Sequence, residues 1–109
     1  MAESELTRIT RLNTRLLSLL AALDDDIIGR ETRKAIEKIK QVSAEARLDV
    51  RDWEYSDSRE ELGQNAKRAV KRIDELRALI LQASEYGIFG AVDVADITAR
   101  LEEVADSLR

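Results

Sequence analysis

From Glu5 to Leu23 the chain reads ELTRITRLNTRLLSLLAAL, and this stretch decides the fold. Leu6, Ile9, Asn13, Leu16, Leu20 and Leu23 recur at alternating spacings of three and four, the seam of an amphipathic helix. Leu12, Leu17 and Leu19 widen that seam beyond the needs of a two-stranded coiled coil. A helix packed in a bundle uses so broad a face. Arg8, Arg11 and Arg15 fall on the other side, toward water. Such a helix gains most of its stability from tertiary packing, so the rest of the chain must supply partners for it.

Three further stretches do so. A second helix is predicted from about Arg30 to Glu54, with Ile36, Ile39, Ser43, Ala46, Val50 and Trp53 on its seam. Ser58 followed by Glu61 forms a capping box, which makes Tyr55–Asp57 a turn. The third helix then runs to about Tyr86, where Gly87 ends it, on a seam of Leu62, Ala66, Ala69, Ile73, Leu76, Ile80 and Ala83. A short apolar connection from Gly87 to Val92 leads to a fourth helix, capped by Asp93, with Val94, Ile97, Leu101, Val104 and Leu108 on one stripe. Between the first two helices, either Asp26 caps a helix beginning at Ile27 or Gly29 closes the first helix in a left-handed turn. The expected fold is all-α: a single domain over residues 1–109, an antiparallel up-down bundle of four helices.

Composition excludes whole classes of chemistry. Among 109 residues there is no Cys and no His, which removes zinc sites, thiolate nucleophiles, Ser-His-Asp triads and histidine pH switches. No phosphate-binding glycine loop is present, and no cofactor is expected. Asp24, Asp25 and Asp26 lack the ordered alternation of a calcium loop and suit a helix terminus better than a cation site. The net charge of −4 is spread in blocks of alternating sign, as in helices that meet side by side. Lys67, Arg68, Lys71 and Arg72 form a basic cluster without interleaved aromatics, a solvated or inter-helix face rather than a nucleic-acid site. The apolar run from Leu16 to Leu23 is far shorter than the roughly twenty residues of a membrane span, and no small-residue cleavage site follows it. A cytoplasmic protein without membrane contact is expected.

The stretch from Ile9 to Leu20, ITRLNTRLLSLL, resembles the opening helix of the all-helical chorismate mutases. The resemblance covers about a tenth of the chain and consists mainly of leucine spacing. It implies an enzyme that holds a dicarboxylate with several arginines and a lysine inside its bundle. Arg11 and Arg15 match that pattern, but Ala22 and Leu23 stand where a further arginine is expected.

Helix lengths point to a different kind of function. At the rise of an α-helix the first and fourth helices span about 27 and 22 Å, the second and third about 36 and 42 Å. The hairpin of the two longer helices, from about Asp49 to Ala66, is therefore expected to project beyond the four-helix portion. Val50, Asp52, Trp53, Glu54, Tyr55 and Leu62 on this tip are the candidate partner-binding residues, an acidic setting around two large aromatics. The heptad places Trp53 on the buried seam, while the length argument leaves it uncovered until something binds; the contact reading is preferred. Leu79, Leu81, Ile88 and Phe89 are hard to cover within one small chain and are expected to form a homodimer interface. Asn13, the one amide on the first seam, is read as specifying helix register, with Ser43 as its nearest partner. The expected function is a non-catalytic protein–protein interaction module (an adaptor, chaperone or small inhibitor) that contacts a basic or amphipathic protein. A purely self-associating structural bundle is the alternative, followed by the chorismate-mutase-like enzyme.

Overall fold

In the computed structural model, residues 3–23 and 28–109 are described. They form four helices: α1 (Glu5–Ala21), α2 (Arg30–Glu54), α3 (Arg59–Ser84) and α4 (Ala91–Leu108). Neighbours in sequence are neighbours in space, and α1 closes the bundle against α4. Side-chain pairs fix the directions. Thr10 meets Arg47 while Asn13 meets Ser43, so α2 runs against α1. Arg68 meets Asp52 while Arg72 meets Glu45, so α3 runs against α2. Arg8 meets Glu103 while Arg15 meets Asp96, so α4 runs against α1. This is the antiparallel up-down bundle expected from the periodicity.

One continuous core runs through it. Ile9, Leu16, Ile39, Val50, Ile73, Ile80, Ile97 and Leu101 are among its fully buried side chains. The seams follow the spacing with small rotations. Leu12 rather than Asn13 is buried on α1, Val42 joins the seam of α2, and Asn65 replaces Leu62 on α3.

Helix ends differ from the spacing-based reading at several points. α1 stops at Ala21, although Leu23 still packs on the core. Gly29 is the N-cap of α2 with an extended backbone at φ −74°, so it does not close α1 in a left-handed turn. The alternative cap at Asp26 and the Asp24–Asp26 run lie outside the described residues, save that α2 begins at Arg30. α4 starts at Ala91 behind Gly90, which places Asp93 inside the first turn, where a carboxylate favours the helix dipole. α3 itself stops at Ser84, short of the expected Tyr86; tighter turns carry the chain on to Gly87, whose φ of +73° takes it off the course of α3.

The molecule measures 48 × 27 × 18 Å, and the α2–α3 hairpin accounts for its length. Arg109, just past α4, pairs with Asp74, yet α3 continues to Arg59, about 22 Å further at the helical rise. On the other side α1 reaches farther. Stepping one residue for one residue from the Thr10–Arg47 pair brings Glu5 level with Asp52. The projection therefore begins near Asp52 on α2, later than the expected Asp49, and it is more open along α3 than along α2.

Candidate protein-docking site at the hairpin tip

The tip is built on a braced turn. Ser58 Oγ accepts from the Glu61 N–H at 3.1 Å, starting α3 as the capping motif requires. Glu61 reaches back to the Asp57 N–H at 3.4 Å, one residue earlier than in a standard capping box. Ser56 donates to the Asp52 carbonyl, and the buried Asn65 amide donates to the same carbonyl and to Ser56 Oγ. Every side-chain nitrogen and oxygen here that is withdrawn from water has a partner, so the turn is braced by its own hydrogen bonds.

Of the six expected contact residues, the structure presents some and withdraws others. Val50 is fully buried in the bundle core and cannot contact a partner; counted from the Thr10–Arg47 pair it lies level with Thr7 of α1, inside the four-helix portion. Trp53 is half-buried and packs against the core, closing the end of the bundle. Asp52 is half-buried and held by Arg68 and Arg51. Tyr55, at 69 % exposure, Glu54 and Leu62 face water.

The basic cluster on α3 divides by helical face. Arg68 reaches Asp49 and Asp52, and Arg72 reaches Glu45, Asp49 and Glu75, so these two tie α3 to α2. Lys67 and Lys71 point elsewhere and make no ion pair among the described residues. They flank an open groove of about 580 Å³ on α3. Gly63, Ala66 and Val70 form its floor, Leu108 closes one end, and Asp74 with Arg109 lies beside that end. The groove is mostly apolar and has no Cβ at Gly63, around which space is open. The seam spacing finds only its edge at Ala66, because Gly63, Lys67 and Val70 share with Ala66 a stripe beside the core stripe. Their spacing of three, four and seven is the signal that finds them.

At the opposite end, Ile88 and Phe89 are each only 7 % exposed, which corrects their placement on an oligomer interface. The left-handed turn at Gly87 folds the connection back, and both side chains tuck into the core. Leu79 is partly buried against the core, whereas Leu81 is 50 % exposed. Asn13 is half-buried and donates to the backbone carbonyl of Ser43 at 3.2 Å, not to its hydroxyl.

The arginines that carry the enzyme resemblance are engaged by this chain's own acids. Arg11 pairs with Glu3 at 2.8 Å, and Arg15 with Asp93 at 2.9 Å and with Asp96. Hydrogen bonding to Arg15, then to Arg100, holds the Asp96 carboxyl below the usual carboxylate range. Arg11 does the same to Glu3. These carboxylates would compete with a dicarboxylate ligand. No group of three acidic residues among the described ones is placed to hold a metal ion. No helix among them is long and apolar enough to cross a membrane. Compared with known proteins, the chain matches no family model, no curated protein and no solved structure.

Proposed function

We propose that this chain is a non-catalytic interaction module of the cytoplasm, which docks an amphipathic segment of another protein beside the hairpin tip. The observation that carries the reading is the groove on α3. It continues the α3–α4 seam past the end of α4, is floored by Gly63, Ala66 and Val70, and lies on a helix whose start is braced against the end of α2. Exposed Leu62 and Tyr55 extend the apolar surface toward the tip. Helix-in-groove recognition uses this combination of a preformed trough and scattered apolar anchors. The test is affinity capture from the native cell with the wild-type chain and with Gly63→Trp. Space around the Gly63 Cβ is open, so the indole enters the groove without disturbing the core. A partner retained by the wild type and lost with a folded variant supports the reading; a partner retained equally by both contradicts it.

A self-associating bundle remains the second reading, favoured by the other end of the molecule. Leu81 at 50 %, Tyr86 at 58 % and Val92 at 82 % exposure leave apolar surface there, although Ile88 and Phe89 do not contribute to it. Light scattering at micromolar concentration tests this reading. A dimer that Leu81→Glu dissolves supports it, and a monomer contradicts it.

A further inference from the structure

We infer that the helix received by the α3 groove is acidic along its flank, and that Lys67 and Lys71 select it; this rests on the docking reading above. The helix α4 is the internal template for such an occupant. It lies along α3 with Leu101, Val104 and Leu108 buried, and its Glu102 sits 3.3 Å from Arg77 of α3. Arg77, Asp74, Val70, Ala66 with Lys67, and Gly63 recur along α3 at spacings of three and four, so they form one stripe. The last part of α4 covers the Arg77 end of that stripe, and the Gly63 end is the open groove.

Two features of the open part define what fits. Gly63 and Ala66 make a depression, which bulky apolar side chains fill; a second copy of α3 would bring Lys67 and Lys71 against their own counterparts, a juxtaposition of like charges. The flank carries charge that nothing in the chain uses. Arg68, Arg72 and Arg77 each have carboxylate partners, whereas Lys67 and Lys71 have none among the described residues. Four residues apart, the two ammonium groups repel each other mildly, and a carboxylate between them relieves that repulsion. Carboxylates on the partner would therefore stand to Lys67 and Lys71 as Glu102 of α4 stands to Arg77. An apolar floor without aromatics suits a peptide helix better than nucleic-acid bases.

The experiment uses the full chain and two synthetic amphipathic peptides of 18 residues, the length of α4. Both carry leucine at the heptad seam positions; one is flanked by glutamate and the other by lysine. Fluorescence anisotropy of the labelled peptides reads binding, and circular dichroism confirms that each variant is folded. The expected result is that the glutamate peptide binds the wild type at least about tenfold more tightly than the lysine peptide. Lys67→Glu combined with Lys71→Glu inverts the preference, and Gly63→Trp, or Ala66→Trp should the first misfold, abolishes binding of both. Equal binding of the two peptides overturns the charge selection while leaving the docking reading intact. So does failure of both to bind, when Gly63→Trp still strips a cellular partner. Binding unaffected by either groove substitution, a dimer that occupies the groove, or displacement of the peptide by a mixed-sequence oligonucleotide overturns the inference outright.

Discussion

The side-chain amide of Asn65 lies 2.9 Å from Ser56 Oγ, so a buried residue in the second turn of α3 is pinned to the segment that ends α2. The same amide donates to the Asp52 carbonyl at 3.2 Å, and Asn65 Oδ1 accepts from Arg68 at 3.0 Å. Asn65→Ala removes both donated bonds and leaves Ser56 Oγ and the Asp52 carbonyl joined only to each other in a half-buried place. The expected loss is about 1–3 kcal/mol of stability, read by chemical denaturation. Faster amide exchange confined to the turn between α2 and α3 should accompany it. An unchanged midpoint and unchanged exchange would show that packing alone holds the tip.

Trp53 is the only tryptophan, so its emission reports on the bundle end directly. Half-buried against the core, it should cost roughly 2 kcal/mol when replaced by alanine, about half the loss for a fully buried indole. The variant should still fold cooperatively. Loss of the folded state would place Trp53 among the fully enclosed core residues, and no change in melting would place it wholly in contact with water.

Asp96 gives the bundle an acid-sensitive link between α1 and α4. Its carboxyl is held below the ordinary value of 3.8 in the folded state, chiefly by Arg15 and then by Arg100. A depressed folded pKa contributes stability that is present above 3.8 and lost as the pH falls through the lowered value. Asp96→Asn should therefore melt below the wild type at neutral pH and approach it in acid. Calorimetric melts from neutral pH to about pH 2 read the effect. Parallel curves for the two proteins would mean that the pair adds nothing.

Gly87 adopts a φ of +73°, and nothing lies within 4 Å of the place a Cβ would occupy. Gly87→Ala should thus lose only the backbone term, about 1–2 kcal/mol, with no clash to relieve. Thermal melts check the size of the loss. A larger one, with exposure of Ile88 and Phe89 to proteolysis, would show that the turn also holds the connection in the core.

The fold was legible in the spacing of apolar residues, because a seam of three and four describes a helix whatever its neighbours are. The Ser58 start of α3 is read to the residue, since the capping box is a local signal, whereas α2 matches the approximate range Arg30–Glu54 although the sequence left its start open between Ile27 and Arg30. Ends without such a signal are not read so closely. Ala21 stops α1 two residues before Leu23, and Gly90 rather than Asp93 caps α4. The candidate site was legible only in part. Helix length alone indicated an exposed tip, but it could not place α1 far enough along α2 to bring Val50 inside the four-helix portion. Nor could it show the Gly87 turn that buries Phe89. In the sequence, Lys67 and Lys71 are indistinguishable from Arg68 and Arg72; only the carboxylates of α2 separate the two pairs.

The groove on α3 is tested most directly by amide chemical-shift mapping of the isotope-labelled chain titrated with the glutamate-flanked amphipathic peptide. The largest shifts are expected at Gly63, Ala66, Lys67, Val70 and Leu108, with little change around Leu81, Tyr86 and Val92. Shifts centred on that opposite end would contradict a docking site beside the hairpin tip, and a spectrum unmoved by the peptide would contradict its acidic occupant.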